Sequence, residues 1–339
     1  MANNEQCYWF FIDKINEKFP GFSKLINQIN SVFKNVEVIN SLDIHSADQK
    51  IIPLGIVASN LFLKKYKRGK IALIIDAYTL GFLSVSKFYI RRKEFLNIDF
   101  IGEVLRYIKY YFIEKKVIKN FDKIIVVSEH DANYLRKTYK CKNIEVISNG
   151  ADIPDFTHKK DKNFNFTLGI LSYWGEGSKK DVNWFITDYL PRLKKIYPEL
   201  KLITAGRGAS NDTIQFFNQN GIEHLGEIDD LWDFFNRIDI YITTLRKECG
   251  ILNKVLDAMA HQKIVVGLEH NMYAFKKLEN GFFSYRNFDE LVSVIETINN
   301  NQRLVECKIK NAHEYIQEYH DWTKNYRQFK TLIDNTYRT

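Results

Sequence analysis

Apolar residues in this chain come in short continuous runs, set between longer stretches with a helical period. CYWFFID (7–13) reads as a strand, Phe22 to Phe33 as a helix and Val36–Ile39 as a short strand. A helical stretch over 56–68 precedes IALIID (71–76), an apolar run ending in an acid. A long helix is predicted over roughly 99–120, then KIIVVS (123–128), a helix at 130–139 and NIEVIS (143–148). Continuous apolar runs separated by helices predict a mainly parallel sheet covered on both faces. Residues 149–165, NGADIPDFTHKKDKNFN, are polar and without period and read as a linker.

The alternation then restarts. FTLGIL (166–171), KLITAG (201–206), IEHLGEI, DIYITTL and KIVVGL (263–268) read as strands. Helices are predicted at 181–197, 211–221, within DDLWDFFNRI, at 251–261 and from about Asp289 onward. The fold expectation is therefore α/β, two doubly wound Rossmann-like domains. The chain length of 339 residues agrees, because one core rarely grows that large. The expected division is 1–150, 151–310 and a helical tail, 311–339, a candidate for crossing back to the first domain.

Composition narrows the class. Charged residues make up 27% and hydrophobic residues 45%, as in a globular protein. No apolar run reaches the roughly 20 residues that cross a bilayer. The opening MANNEQCYWFFIDK lacks a basic start and a cleavable apolar segment, which predicts a cytoplasmic protein. Cys7, Cys141, Cys249 and Cys307 are scattered, arguing against a disulfide framework or a cysteine metal site. Residues 1–150 hold 24 Lys/Arg against 15 Asp/Glu, whereas the remainder holds 25 against 26. That asymmetry points to an anionic partner for the first half. The clusters KKYKR (64–68), RRK (91–93) and RYIKYYFIEKKVIK (106–119) interleave bases with aromatics, which suits anionic lipid headgroups or a lipid-diphosphate acceptor. A solvated lysine-rich face explains them equally. No nucleic-acid motif accompanies them.

The most informative stretch is LRKECGILNKVLDAMAHQKIVVG (245–267). On a helix, Leu252, Val255, Leu256 and Met259 share one face, and Gly250, Asn253, Lys254 and Asp257 the opposite one. Gly250 at the helix start, beside Arg246 and just after a strand, would let a ligand approach the backbone. A helix N-terminus favours an anion, Arg246 and Lys254 add positive charge, and Asp257 offers a carboxylate to a ribose diol. A solvated helix face accounts for the same pattern. Asp76, at the end of a strand, is a candidate for orienting an acceptor hydroxyl or for capping a helix. His130 reads as a first-turn residue behind a Ser128 cap, and His45 lies in an unassigned loop.

At TLRKECGILNKVLDAMA the sequence resembles the retaining GT-B glycosyltransferases of the family-4 type, with their "PLR…G-I-x-N-K-V-L-E-A-M-A" signature. KIIVVSEHDANYL (123–135), VISNGADI (146–153), LGILSYWGEGSKKDVNWFITDYLPRL (168–193), AGRGAS (205–210) and YHDW (319–322) resemble other family segments in the same order. The resemblance covers about 120–339 and is weak before it. It implies a nucleotide-diphosphate-sugar donor, UDP favoured, on the second domain and no metal. Arg246 and Lys254 would hold the diphosphate, with Gly250, Asn253, Gly206 and Arg207 beside it. Asp257 would bind the ribose where the family has Glu. Glu248 lies outside the signature and reads as touching the donor sugar or facing solvent. The Gly-Gly loop of many relatives is replaced by IDKINEKFPGF, and no Asp-x-Asp pair occurs. The loop SYWGEGSKK (172–180) reads as a flexible basic turn or a phosphate cradle. The expected reaction is sugar transfer to a glycan, lipid-linked or protein acceptor in surface glycan synthesis, at the inner face of the plasma membrane. The alternative is a non-catalytic GT-B subunit that binds a partner enzyme. A nicotinamide dehydrogenase is disfavoured by the lack of GxGxxG after a first strand.

Overall fold

The structure, a computed structural model, describes residues 8–12, 36–39, 42, 50–154 and 166–338 apart from 276 and 279. The helix expected at 22–33, the segment IDKINEKFPGF from residue 13 on, His45, Cys7 and most of the expected linker lie outside the described residues. The chain divides into two compact units. One holds the described residues up to Asn149 together with Lys247–Ile251 and the residues from Trp322 on. The other holds Gly150–Arg246 and Leu252–Asp321.

The first unit is built on a parallel sheet. Its strands are β1 (Tyr8–Ile12), β2 (Val36–Ile39), β3 (Lys50–Leu54), β4 (Gly69–Ile75), β5 (Phe121–Val126) and β6 (Ile144–Val146), in the order β2-β1-β3-β4-β5-β6. Its helices are α1 (Ile56–Lys65), α2 (Tyr78–Arg91), α3 (Ile98–Asn120) and α4 (Glu129–Tyr139). Successive strand residues point to opposite faces, and both faces are buried. Ala72, Ile74, Ile124 and Val126 pack with Phe62, Leu80, Val117 and Leu135. Ile71, Leu73 and Ile125 face the other way, onto Tyr326, Phe329 and Ile333 of a helix at Trp322–Arg338.

Two elements of this unit go beyond the sequence expectation. β3 carries Pro53, which argues against an inner strand. It is accommodated because the β3–β4 ladder pairs only Leu54 with Leu73, beyond the proline. α2 is apolar around much of its circumference and shows little helical period. Glu114 of α3 is buried and accepts from the Thr79 N–H (3.2 Å), the Thr79 hydroxyl and the Tyr139 hydroxyl (2.9 Å), fixing which face of α3 turns inward.

The second unit is also parallel. β7 (Thr167–Leu171), β8 (Lys201–Ala205), β9 (Glu223–His224), β10 (Ile240–Thr243), β11 (Ile264–Leu268) and β12 (Phe283–Tyr285) lie in the order β12-β11-β10-β7-β8-β9. α5 (Glu176–Trp184) continues through a π turn (Phe185–Tyr189) into α6 (Leu190–Ile196). Pro191 explains the turn, since it has no N–H for the regular helix ladder. α7 (Asn211–Gln219), α8 (Leu231–Phe235), α9 (Asn253–Ala260), α10 (Phe288–Asn300) and α11 (Gln302–Tyr319) follow, and the helix at Trp322–Arg338 is α12. Phe185, Ile186, Leu190, Leu291 and Ile295 cover the sheet face formed by Leu168, Ile170, Ile240, Ile242 and Val266. The strand expected in IEHLGEI shrinks to two residues. The loop 172–180 is helical from residue 176, so Lys179 and Lys180 sit on α5.

Candidate functional site

In the second unit the chain reverses direction of travel across the sheet between β7 and β10. Ligands of open parallel sheets bind outside the carboxyl ends of the strands at such a point. The exit of β10 is firmly held there. Trp184 Nε1 donates to the Thr244 carbonyl (3.0 Å), Asn271 Nδ2 donates to the Leu245 carbonyl (2.7 Å), and His270 Nε2 lies 3.0 Å from the same oxygen. Arg246 comes next, 9% exposed. Its Nε donates to Asp181 Oδ1 at 2.7 Å, and its backbone N–H points at the same oxygen at 3.4 Å. The guanidinium is thus fixed in a buried ion pair by a residue of α5 that sequence reasoning passed over.

α9 begins at Asn253, with Leu252 at its N-cap, whose apolar side chain does not cap the first N–H groups. Lys254 occupies the first turn and is half-buried. Loss of water lowers its pKa to about 8, against the opposing charge of Asp257. Asp257, one turn on, is buried, and burial together with Asp257 pushes the Tyr241 phenol well up. Asn253 is exposed. Val255, Leu256 and Met259 are buried, as the amphipathic pattern predicts.

Gly206 and Arg207 follow β8. Gly206 has φ +120, and a Cβ there would lie 1.8 Å from the Ser172 carbonyl oxygen. Its N–H donates to the Gly226 carbonyl (2.7 Å). Arg207 reaches Glu227 across 3.7 Å at the surface, and its carbonyl accepts from the Trp174 N–H at 2.9 Å.

Asp76, Glu248 and Gly250 belong to the first unit. β4 ends in a register shift at Ile75, whose φ of +69 is costly for a β-branched residue. This strained exit delivers Asp76, which does not cap α2, because Ala77 holds that position. After β5, Ser128 caps α4 by accepting from the Asp131 N–H (3.0 Å). Asp131 Oδ2 accepts the Gly250 N–H at 2.8 Å, and Asp131 Oδ1 is buried with no hydrogen-bond partner among the described residues.

Gly250 is therefore not the start of the helix. It lies in a loop with φ +75, and a Cβ on it would sit 2.3 Å from Asp76 Oδ1. The backbone donor expected for a diphosphate is given to Asp131 instead. Glu248 does not face solvent: its Oε1 lies 2.9 Å from His130 Nε2, its side chain is 15% exposed, and its N–H donates to Ser84 Oγ (3.0 Å). Cys249 sits over Gly81, where a Cβ would come within 2.7 Å of its sulfur. Burial raises the Asp76 pKa to about 6, with Lys247 opposing. Burial and the Asp76 charge push Asp131 well up, with the Gly250 N–H opposing.

The sequence-derived residues thus fall into two sets. Arg246, Asn253, Lys254, Asp257, Gly206 and Arg207 edge the second sheet, whereas Asp76, Glu248 and Gly250 cluster in the first unit. Asp181, Asp131 and Lys247 are additions from the structure. KKD at the start of a predicted helix and SEHD after a strand set the first two at helix starts, without telling which groups they meet.

Comparison with known proteins completes the picture. Residues 166–301 match the family "Glycosyl transferases group 1", and residues 98–154 match "Glycosyltransferase Family 4". An uncharacterized glycosyltransferase, MJ1069, of Methanocaldococcus jannaschii is 24% identical over 297 residues, 83% of this chain and 71% of the relative. HepE of Anabaena, solved with UDP and glucose, superposes with a TM-score of 0.64 at 13% identity, over 97% of this chain and 100% of HepE. A mutant of S. aureus TarM, solved with fondaparinux, alpha-GlcNAc-glycerol and UDP, gives 0.59 at 16% identity. That match covers 84% of this chain, which spans 55% of TarM. With both family segments laid over two parallel α/β units, the chain is a glycosyltransferase of the GT-B fold that carries group-1 and family-4 segments.

Proposed function

We propose that this protein transfers a sugar from a UDP-sugar to a glycan, lipid-linked or protein acceptor, with retention, in surface glycan synthesis. The observation that carries the reading is the pair of cations at the carboxyl edge of the second sheet: Arg246, fixed by Asp181, and Lys254 in the first turn of α9. When the bond from the anomeric carbon to the diphosphate oxygen breaks, negative charge grows on that oxygen. Two cations, Arg246 held by Asp181 and Lys254, together with the first N–H groups of α9 compensate it. Neither cation gains by being paired before the donor arrives unless it is held in place, and the Asp181 contact does that for Arg246.

The absence of an Asp-x-Asp pair in the sequence supports these side chains, rather than a bridging ion, as the source of that compensation. UDP is the favoured nucleotide because HepE, TarM and the pneumococcal O-GlcNAc transferase GtfA are all solved with it. Asp257 binds the ribose, and Asp76, carried on the first unit, orients the acceptor hydroxyl. The basic first half supports a reaction at the cytoplasmic face of a membrane.

The test is a thermal-shift panel of UDP, GDP, ADP, CMP and their sugars, with Lys254→Ala as control. A ligand selective for the folded state raises the melting temperature. A rise with UDP that Lys254→Ala loses supports the donor site. No rise with any nucleotide would turn the reading to a non-catalytic subunit.

A further inference from the structure

α3 buries one side and leaves the other uncovered. Glu114, Val117 and Ile118 face inward. Ile98, Ile101, Leu105, Ile108 and Phe112 are exposed, Ile98 by 83%. Their spacing of three and four residues gathers them within about 80° of arc on a helix. The turn that leads into α3 continues the stripe with Phe95 and Leu96, the latter 96% exposed. Single exposed apolar residues are ordinary, but a contiguous stripe of this kind marks a docking surface.

The charges around the stripe identify what docks. Every charged residue classed as exposed from Arg91 to Lys119 is basic: Arg91, Arg92, Lys93, Arg106, Lys109, Lys116 and Lys119. The acids of the same stretch are turned in or engaged. Glu114 is buried, Glu94 and Glu103 bond Arg92 and Arg106 at 2.8 Å each, and Asp99 accepts from the Tyr89 hydroxyl. Apolar side chains ringed by cations, with no exposed acid among them, fit the boundary between acyl chains and anionic headgroups. Among the described residues no helix is long and apolar enough to cross a membrane, so the fit is to lying on the surface rather than spanning it.

We propose that α3 and the turn before it form an interfacial docking surface for an anionic lipid bilayer. The stripe enters the headgroup region, and Lys109, Lys116 and Lys119 meet the phosphates. This rests on the reading that the protein works at a membrane face, and it names the surface responsible.

The test is co-sedimentation with vesicles of phosphatidylcholine alone and with about 30% phosphatidylglycerol. The protein is expected to partition onto the anionic vesicles about tenfold or more in excess, and to be released as salt rises. Leu105→Ser/Ile108→Ser and Lys109→Glu/Lys116→Glu should each remove that excess while the melting temperature and UDP affinity stay unchanged. Failure to bind anionic vesicles, with UDP binding intact, overturns the docking surface and leaves the donor reading standing. A dimer in sedimentation velocity without vesicles, dissociated by Leu105→Ser/Ile108→Ser, also overturns it and assigns the stripe to a second copy of the chain.

Discussion

Arg246 Nε donates to Asp181 Oδ1 at 2.7 Å, with the two side chains 11% and 9% exposed. A buried ion pair broken on one side costs about 3–5 kcal/mol, because a charge is left without compensation. Arg246→Ala is expected to lower kcat for sugar transfer by about 100-fold or more, the scale of one lost charge-stabilising donor. Arg246→Lys should recover little, since an ammonium cannot reproduce the guanidinium fork. Asp181→Asn should lower both the unfolding midpoint and kcat. Steady-state kinetics beside urea melts check all three, and undiminished turnover in Arg246→Ala would remove the residue from the transfer step.

Lys254 predicts a pH dependence of donor binding. Its ammonium is charged below about pH 8 and loses its proton above it. UDP affinity should therefore fall as pH rises from 7 to 9. Lys254→Arg, which stays charged throughout, should flatten the profile. Calorimetric titration at pH 7, 8 and 9 reads this directly, and a flat wild-type profile would speak against contact between Lys254 and the diphosphate.

Gly250 combines a left-handed φ of +75 with a missing Cβ whose place lies 2.3 Å from Asp76 Oδ1. Gly250→Ala is expected to destabilise by about 1–3 kcal/mol through the backbone alone, with the clash in addition. The clash, unlike the backbone cost, should vanish when Asp76 is also shortened. Gly250→Ala/Asp76→Ala should then be less destabilised than the sum of the single changes, by urea denaturation.

The Asp76–Asp131 pair predicts how stability varies with pH. Asp76 titrates near 6 in the folded chain against an ordinary value near 3.8, and Asp131 is shifted in the same direction. Between those values the folded state keeps a proton that the unfolded chain has released, so stability rises as pH falls through this window. The part of this penalty that belongs to Asp76 is fully developed above about pH 6. Asp131→Asn removes one acid and keeps an acceptor for the Gly250 N–H. Its urea midpoint should change less than that of the wild type between pH 7.5 and 5, and an unchanged slope would show that the pair does not govern the dependence.

The second unit is largely legible in the sequence because its elements are strongly patterned and its candidate residues are local. Lys254 and Asp257 lie one turn apart on a strongly patterned helix, and Arg246 directly follows a clear strand. The partner of Arg246 was not legible, because folding alone brings Asp181 to it from 65 positions away. Gly250 was misplaced for a different reason. Extending the helical face backwards assumed regular φ/ψ at a residue whose φ is +75. In the first unit, Pro53 masked β3, and the even apolarity of α2 left no period to read. Asp131 was overlooked beside His130, since nothing in SEHDAN tells which side chain turns inward.

The division of the chain also bears on the order in which it can fold during synthesis. The sheet face of the first unit that carries Phe10, Ile52, Ile71 and Ile125 is covered by Tyr326, Phe329 and Ile333 of α12. About 170 residues separate Asn149 from Trp322, and at the usual elongation rate of about 5–20 residues per second this face waits roughly 10–35 s for its cover. The second unit has by then been translated through Asp321 and is able to fold first. The earlier-made half is thus the later one to finish, and its uncovered strands are what a chaperone would meet on the ribosome.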